Sequence, residues 1–147
     1  MGLWQTIEND LKDAMRNKQE LRREVLRMVI AAFKNRRIEL GKDLTEADEI
    51  AVVQKAVKSR EESAVAYTNG GREELAAKER AEIEVLAPYL PKQMDEAATR
   101  AAVEALAQEL GLSEKKQMGQ LMKAVTAKYA GQVDGKLASR IAGEVLS

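Results

Sequence analysis

The sequence predicts an all-α protein in which a larger N-terminal helical domain precedes a small C-terminal helical domain. Apolar residues recur three and four positions apart along nearly the whole chain, which is the spacing of amphipathic helices. Good helix formers dominate the composition, and runs of β-branched residues are absent. The two prolines, Pro88 and Pro91, mark the expected boundary between residues 1–90 and residues 91–147.

Four helices are expected in the N-terminal domain. Their apolar stripes place them, in order, at residues 3–18, 21–40, 46–69 and 72–87. Thr45 is suited to cap the third helix, and Asp48, three residues later, completes a capping-box pattern. Gly41 follows the second helix and Gly70 follows the third, as glycine commonly does where helices end.

The segment "APYLPKQMDEA", residues 87–97, is the clearest interruption of the helical pattern. A residue that precedes proline disfavours helical backbone angles, so we expect an extended, stiff linker here. Asp95 then has the position of an N-cap for a fifth helix over residues 96–110. Gly111 follows as its stop.

The rest of the chain predicts a small helical unit. Ser113 is expected to cap a short helix that continues or restarts as far as Tyr129, and Gly131 ends it. Asp134 then caps a last helix that runs through Val145.

Histidine and cysteine are both missing from the composition. Zinc and haem sites of the usual kinds, cysteine nucleophiles and Ser-His-Asp triads are therefore excluded. No apolar run approaches the roughly 20 residues that span a bilayer, and the N-terminus does not read as a secretory signal. We expect a cytoplasmic protein with no cofactor and no membrane partner.

The charges balance overall, at 24 basic and 24 acidic residues, but their distribution is uneven. Residues 16–37 contain eight basic and two acidic residues, and residues 113–140 contain six basic and two acidic residues. A neutral protein with such segments can bind a polyanion locally. For the first segment we favour a solvated helix face. The arginines assigned to that face are Arg22, Arg23, Arg27 and Arg37.

The stretch "KYAGQVDGKLASR", residues 128–140, contains glycines and a lysine near a helix start, as phosphate loops do. Its glycine spacing is not that of a P-loop, no Ser or Thr follows Lys136, and no strand precedes it. A glycine stop followed by an Asp cap explains the glycine and the acid. A site for a nucleic-acid backbone would also explain the surrounding cations. The candidate nucleic-acid-binding residues are Lys123, Lys128, Gly131, Gly135, Lys136 and Arg140.

Carboxylates are numerous, but they alternate with Lys and Arg at helical spacing, which is typical of surface ion pairs. A cluster of four acidic residues around the start of the third helix lacks the pattern of a calcium-binding loop, so no metal site is expected there. Its members are Glu39, Asp43, Asp48 and Glu49. No arrangement of residues predicts catalysis, and no catalytic residue is assigned.

Several stretches in order resemble the YqeY (GatB/YqeY-like) family, over about residues 3–146. They are "RMVIAAFKNRRIE", "KSREES", "EVLAPYLPKQ" and "GQVDGK". The matching positions include Arg27, Lys34, Asn35, Lys58, Arg60, Gly71, Arg72, Tyr89, Leu90, Pro91, Gly119, Asp134, Gly135 and Lys136. One departure is Gln132, where many relatives have Arg.

The resemblance implies an all-helical protein of two parts. By the same resemblance, the C-terminal part is similar to the tail domain of the B subunit of the Asp/Glu-tRNA amidotransferase, that is, a GatB-tail-like domain. In the amidotransferase, that tail domain contacts the tRNA elbow. The resemblance therefore implies tRNA as partner, with an aminoacyl-tRNA synthetase or an amidotransferase as possible protein partners and no DNA.

From these features we expect a non-catalytic tRNA-binding accessory protein of translation. One alternative is a component of a carbon–nitrogen ligase complex with glutamine as amido-N-donor, in which partner subunits would supply every reactive group. The other is a helical protein–protein adaptor that uses the long third helix and binds no RNA.

Overall fold

The computed structural model describes residues 2–147, which form seven α-helices and two short 3-10 helices and contain no strand. The all-α prediction is confirmed. The α-helices are α1 (Leu3–Arg16), α2 (Glu20–Leu40), α3 (Glu46–Asn69), α4 (Glu73–Leu86), α5 (Glu96–Leu110), α6 (Met118–Lys128) and α7 (Gly135–Val145). The 3-10 helices are Ala87–Tyr89 and Lys115–Gln117.

The chain separates into two compact units, one that ends at Leu90 and one that runs from Pro91 to Ser147. Independent folding of the two units stays a prediction. Among residues 2–147, no helix combines the length and the apolar character needed to cross a bilayer.

The N-terminal unit contains α1 to α4, and their apolar faces meet in one core. Its buried members are Ile7, Val25, Leu26, Val29, Ile30, Phe33, Val53 and Leu86. The ring of Trp4 packs on Phe33 with centroids 5.2 Å apart, which fixes the start of α1 against the last turns of α2. Full burial of a side chain such as Phe33 stabilises the fold by about 1.5–3 kcal/mol.

A buried ion pair joins α3 to α4. The Nε atom of Arg60 donates to Oε1 of Glu82 at 3.0 Å, and its Nη1 donates to the carbonyl of Ala56 at 3.0 Å. Arg60 is only 9% exposed. Burial of its charge is tolerated because the guanidinium and the carboxylate are paired with each other. The pair thus links a side chain of α3 to a side chain of α4.

Helix ends follow the capping residues of the sequence. The Thr45 side chain accepts from the Asp48 N–H and the Asp48 carboxylate accepts from the Thr45 N–H, which confirms the capping box. The hydrogen bond from the Thr45 N–H lowers the pKa of Asp48 below its ordinary value. Gly41 and Gly111 both adopt φ +68° at helix C-termini, a conformation that favours glycine.

The C-terminal unit packs α5, α6 and α7 around a second core. Its buried members are Val103, Leu106, Ala107, Leu112, Leu121, Val125, Val133, Ala138, Ile141, Ala142 and Leu146. The Asp95 side chain accepts from the N–H of Ala98 at 2.7 Å, which confirms its role as the N-cap of α5.

Two local predictions were wrong. The segment after α4 is not extended throughout, because Ala87–Tyr89 forms a 3-10 helix with Pro88 in its first turn. Proline is tolerated there since a first-turn N–H has no helical acceptor. Ser113 is not a cap: Glu114 occupies that position, and the side chain of Gln117 accepts from the N–H groups of both residues at 3.0 Å.

Candidate nucleic-acid interface

The turn between α6 and α7 is anchored in the core of the C-terminal unit. The N–H of Gln132 donates to the carbonyl of Tyr129 at 3.0 Å, and the Val133 side chain is buried in the core. Gly131 has φ +76°, so a residue with a side chain would be strained at this position. The turn therefore presents its exposed residues from a fixed backbone.

Asp134 caps α7, as predicted. Its Oδ1 atom accepts from the N–H of Lys136 at 2.9 Å and from the N–H of Leu137 at 3.5 Å. The carboxylate thus occupies the amides that a phosphate would otherwise use at this helix start. Phosphate binding at this corner would depend on side chains.

Lys128 and Lys136 flank the turn, one at the last residue of α6 and the other at the second residue of α7. Both are exposed. Within residues 2–147, neither lysine has a carboxylate within 4.0 Å. The Lys128 Nζ atom lies 5.7 Å from the centroid of the Tyr129 ring, a distance that allows a cation–π contact.

The other predicted members of the site differ from these two lysines. Lys123 is exposed, but it lies about 7.5 Å before Lys128 along α6 and roughly 140° around the helix from it. Only a ligand that curves around the end of α6 would contact both. Gly135 is open, since a Cβ placed there meets no atom within 4 Å.

Arg140 is engaged within the protein. Its Nη2 atom lies 2.7 Å from Oε1 of Glu96, and its Nη1 atom lies 3.3 Å from Oε1 of Glu144. The hydrogen bond to Glu96 raises the pKa of Arg140, and the hydrogen bond from Arg100 lowers the pKa of Glu144. A phosphate at Arg140 would have to compete with these carboxylates.

Two surface concavities lie in the N-terminal unit. A groove of about 590 Å³ lies between α2 and α3 and includes Asn35, Lys55 and Arg60 in its wall. In a cleft of about 540 Å³, the hydroxyl of Tyr89 donates to Oδ2 of Asp10 at 2.5 Å. The pKa of Tyr89 is raised, mainly by burial and to a smaller extent by this hydrogen bond.

The structure also shows four cations that the sequence interpretation assigned no function or left in a solvated face. They are Arg23, Arg27, Lys34 and Arg37. None of them has a carboxylate partner among the described residues. The available signal was the absence of Asp and Glu from residues 25–38.

The described residues contain no group of three or more acidic side chains placed to hold a metal ion. What the arrangement offers chemically is exposed positive charge on a rigid helical frame. These features define a class: an all-helical protein with basic surfaces on two compact units.

The family comparison then gives the particular relationship. The family model described as "Yqey-like protein" (YqeY) matches residues 4–146, and the chain belongs to this family.

Three similar curated proteins come from yeasts, and each of the three is named "Altered inheritance of mitochondria protein 41, mitochondrial". The protein from Lachancea thermotolerans is 33% identical over 85 residues, which is 57% of this chain and 46% of that protein. The protein from Candida glabrata is 33% identical over 88 residues, with shares of 58% and 48%. The protein from Saccharomyces cerevisiae strain YJM789 is 31% identical over 85 residues, with shares of 57% and 46%. The chain spans about half the length of the curated relatives it matches.

Proposed function

We propose that this chain is a non-catalytic accessory protein that binds tRNA through the corner between α6 and α7. The observation that carries the proposal is the pair Lys128 and Lys136, which flank an anchored turn with no carboxylate partner among residues 2–147. Lysines of this kind attract phosphates, and several weak phosphate contacts together give useful affinity. Lys123 and Arg140 are secondary contacts in this proposal.

Binding of this kind positions an RNA without reading its bases. Because the contacts are to phosphates, we expect similar affinities for tRNAs of different sequence. The proposal includes tRNA recognition near the elbow and cooperation with a synthetase or an amidotransferase. The yeast relatives are named as mitochondrial proteins, whereas the cytoplasm is the location proposed for this chain. Both compartments contain tRNA, so either location agrees with the function.

The test is a titration of the protein with three tRNA transcripts of unrelated sequence at two salt concentrations. The variant Lys128→Gln/Lys136→Gln should bind all three more weakly by a similar factor. Its slope of log K against log salt should be smaller by roughly 1.4–1.8, the value for two lost phosphate contacts.

The matched control is Lys115→Gln/Lys116→Gln. The N–H of Lys115 donates to the carbonyl of Ser147, so these lysines lie at the far end of α7, about 16 Å from the corner. If both variants lost the same affinity for tRNA, the corner lysines would contribute only through the net charge of the protein. Absence of salt-dependent tRNA binding by the wild-type protein would refute the function. Ammonia release from glutamine by the protein alone would refute its non-catalytic character.

A further inference from the structure

A stripe of cations runs along α2 in the N-terminal unit. Its members are Arg23, Arg27, Lys34 and Arg37. Their offsets of four, seven and three residues place them within an arc of roughly 80° on the helix, over about 21 Å of its length. No Asp or Glu occurs between Glu24 and Glu39, so the sequence of α2 supplies no negative charge along most of the stripe.

The stripe differs from the other arginines of the same helix in its ion pairs. Arg22 lies 3.7 Å from Asp10, and Arg36 lies 3.0 Å from Glu39. Within the part of the chain that the structure describes, the stripe residues have no carboxylate within 4.0 Å. Like charges three and four residues apart on a helix repel one another. A bound polyanion would relieve this repulsion.

Arg37 is held in place without use of its hydrogen-bond donors. Its guanidinium carbon lies 5.0 Å from the centroid of the Trp4 ring, and that ring packs on the buried Phe33. Stacking engages the face of a guanidinium, while phosphate binding uses its N–H edge. The N–H donors of Arg37 have no acceptor among the described residues. Arg37 is therefore preorganised for a phosphate.

We propose that this stripe on α2 is a second binding surface for an RNA phosphate backbone, distinct from the corner between α6 and α7. An extended row of cations suits a partner whose negative charges repeat along a line. Arginine, which supplies three of the four cations, binds phosphate through two parallel hydrogen bonds. A membrane surface is a poorer match, because α2 exposes two separate large hydrophobic residues, Met28 at 58% and Ile38 at 76%, and these do not form a continuous apolar face.

The experiment measures binding of a tRNA transcript to the full chain with the variant Arg27→Gln/Lys34→Gln. These two side chains are exposed and have no described ion pair, so folding should be retained, as far-UV circular dichroism would show. We expect affinity to fall about tenfold or more and the salt slope to fall by roughly 1.4–1.8. The variant Arg27→Lys/Lys34→Arg should bind within about twofold of wild type, since it keeps both positive charges and one arginine at the two positions.

The matched control is Arg16→Gln/Arg36→Gln, which removes two cations that already pair with Asp13 and Glu39. An equal loss in this control would overturn the proposal, as would wild-type affinity in Arg27→Gln/Lys34→Gln. If Arg27→Gln/Lys34→Gln loses affinity and Lys128→Gln/Lys136→Gln does not, RNA binding by the stripe is supported and tRNA binding by the corner is refuted. The reverse result leaves the proposed function intact and refutes the stripe.

Two further probes separate the kinds of partner. Vesicles that contain phosphatidylserine and the acidic polypeptide polyglutamate are titrated under the same salt conditions. Binding of the wild-type protein to either probe, lost in Arg27→Gln/Lys34→Gln and without binding to tRNA, would overturn RNA as the partner of the stripe. Stripe-dependent binding to tRNA alone supports it.

Discussion

The two basic regions of this protein have similar charge in sequence but different surroundings in the fold. On α2, four cations share one arc of the helix and have no carboxylate partner among the described residues. At the corner between α6 and α7, Asp134 fills the helix start and Arg140 is bound by Glu96 and Glu144. The availability of a cation for a ligand therefore depends on the acids that folding brings to it.

This difference extends the interpretation made from sequence, in which the corner was the binding site and the face of α2 was only solvated, because the α2 face also has cations without a carboxylate partner among the described residues. Glu96 lies 44 residues before Arg140, so their ion pair arises from the packing of α5 against α7. Local spacing cannot show it. By contrast, the lack of acids in residues 25–38 is visible in the sequence itself.

The largest expected effect is physical separation of the two regions by limited digestion with trypsin. We expect the first cut after Lys92, which is exposed and lies outside the helices, between Ala87 and Asp95. Segments without helical hydrogen bonds are preferred cleavage sites. Mass spectrometry should find one fragment with the α2 stripe and one with the corner. Earlier cleavage at Lys42 or Lys18 would argue against an exposed boundary.

The second prediction concerns the acid that distinguishes the corner from the stripe. Asp134→Ala should lower the free energy of unfolding by about 1 kcal/mol, the usual cost of losing an N-cap. Urea denaturation measures it. Asp95→Ala is the matched control, since it removes the N-cap of α5 in the same unit and should cost a similar amount. An unchanged stability for Asp134→Ala alone would mean that its two hydrogen bonds do not hold α7.

Much of the fold could be predicted because its causes are local. Thr45, Asp95 and Asp134 cap helices at the positions expected from their sequence neighbours. The 3-10 helix at Pro88 was missed because proline both ends a helix and fits the first turn of the next. The partners of Arg140 and the Trp4 ring beneath Arg37 come from distant elements, so the sequence could not assign which cations remain available.

The smallest expected effect comes from removing the carboxylate partners of Arg140, so that this cation at the corner resembles those of the stripe. In Glu96→Gln/Glu144→Gln, both carboxylates that bind Arg140 become neutral amides of nearly the same shape. Arg140 then gains the opportunity to contact a phosphate. The variant also removes the carboxylate partner of Arg100. Affinity for tRNA should rise a few-fold, and the part of the steeper salt slope that depends on Arg140 should be roughly 0.7–0.9, the value for one added contact. Because these ion pairs are exposed, thermal stability should change little.

Neutralising any two acids also makes the protein more positive, so the control must change net charge equally. Glu104→Gln/Glu109→Gln does so on α5, where neither residue forms an ion pair with the described residues. A rise in affinity confined to Glu96→Gln/Glu144→Gln, and removed by adding Arg140→Gln, would show that local carboxylates restrain the corner. Equal rises in both variants would instead attribute the effect to net charge, and the contrast between the two regions would then have no consequence for binding.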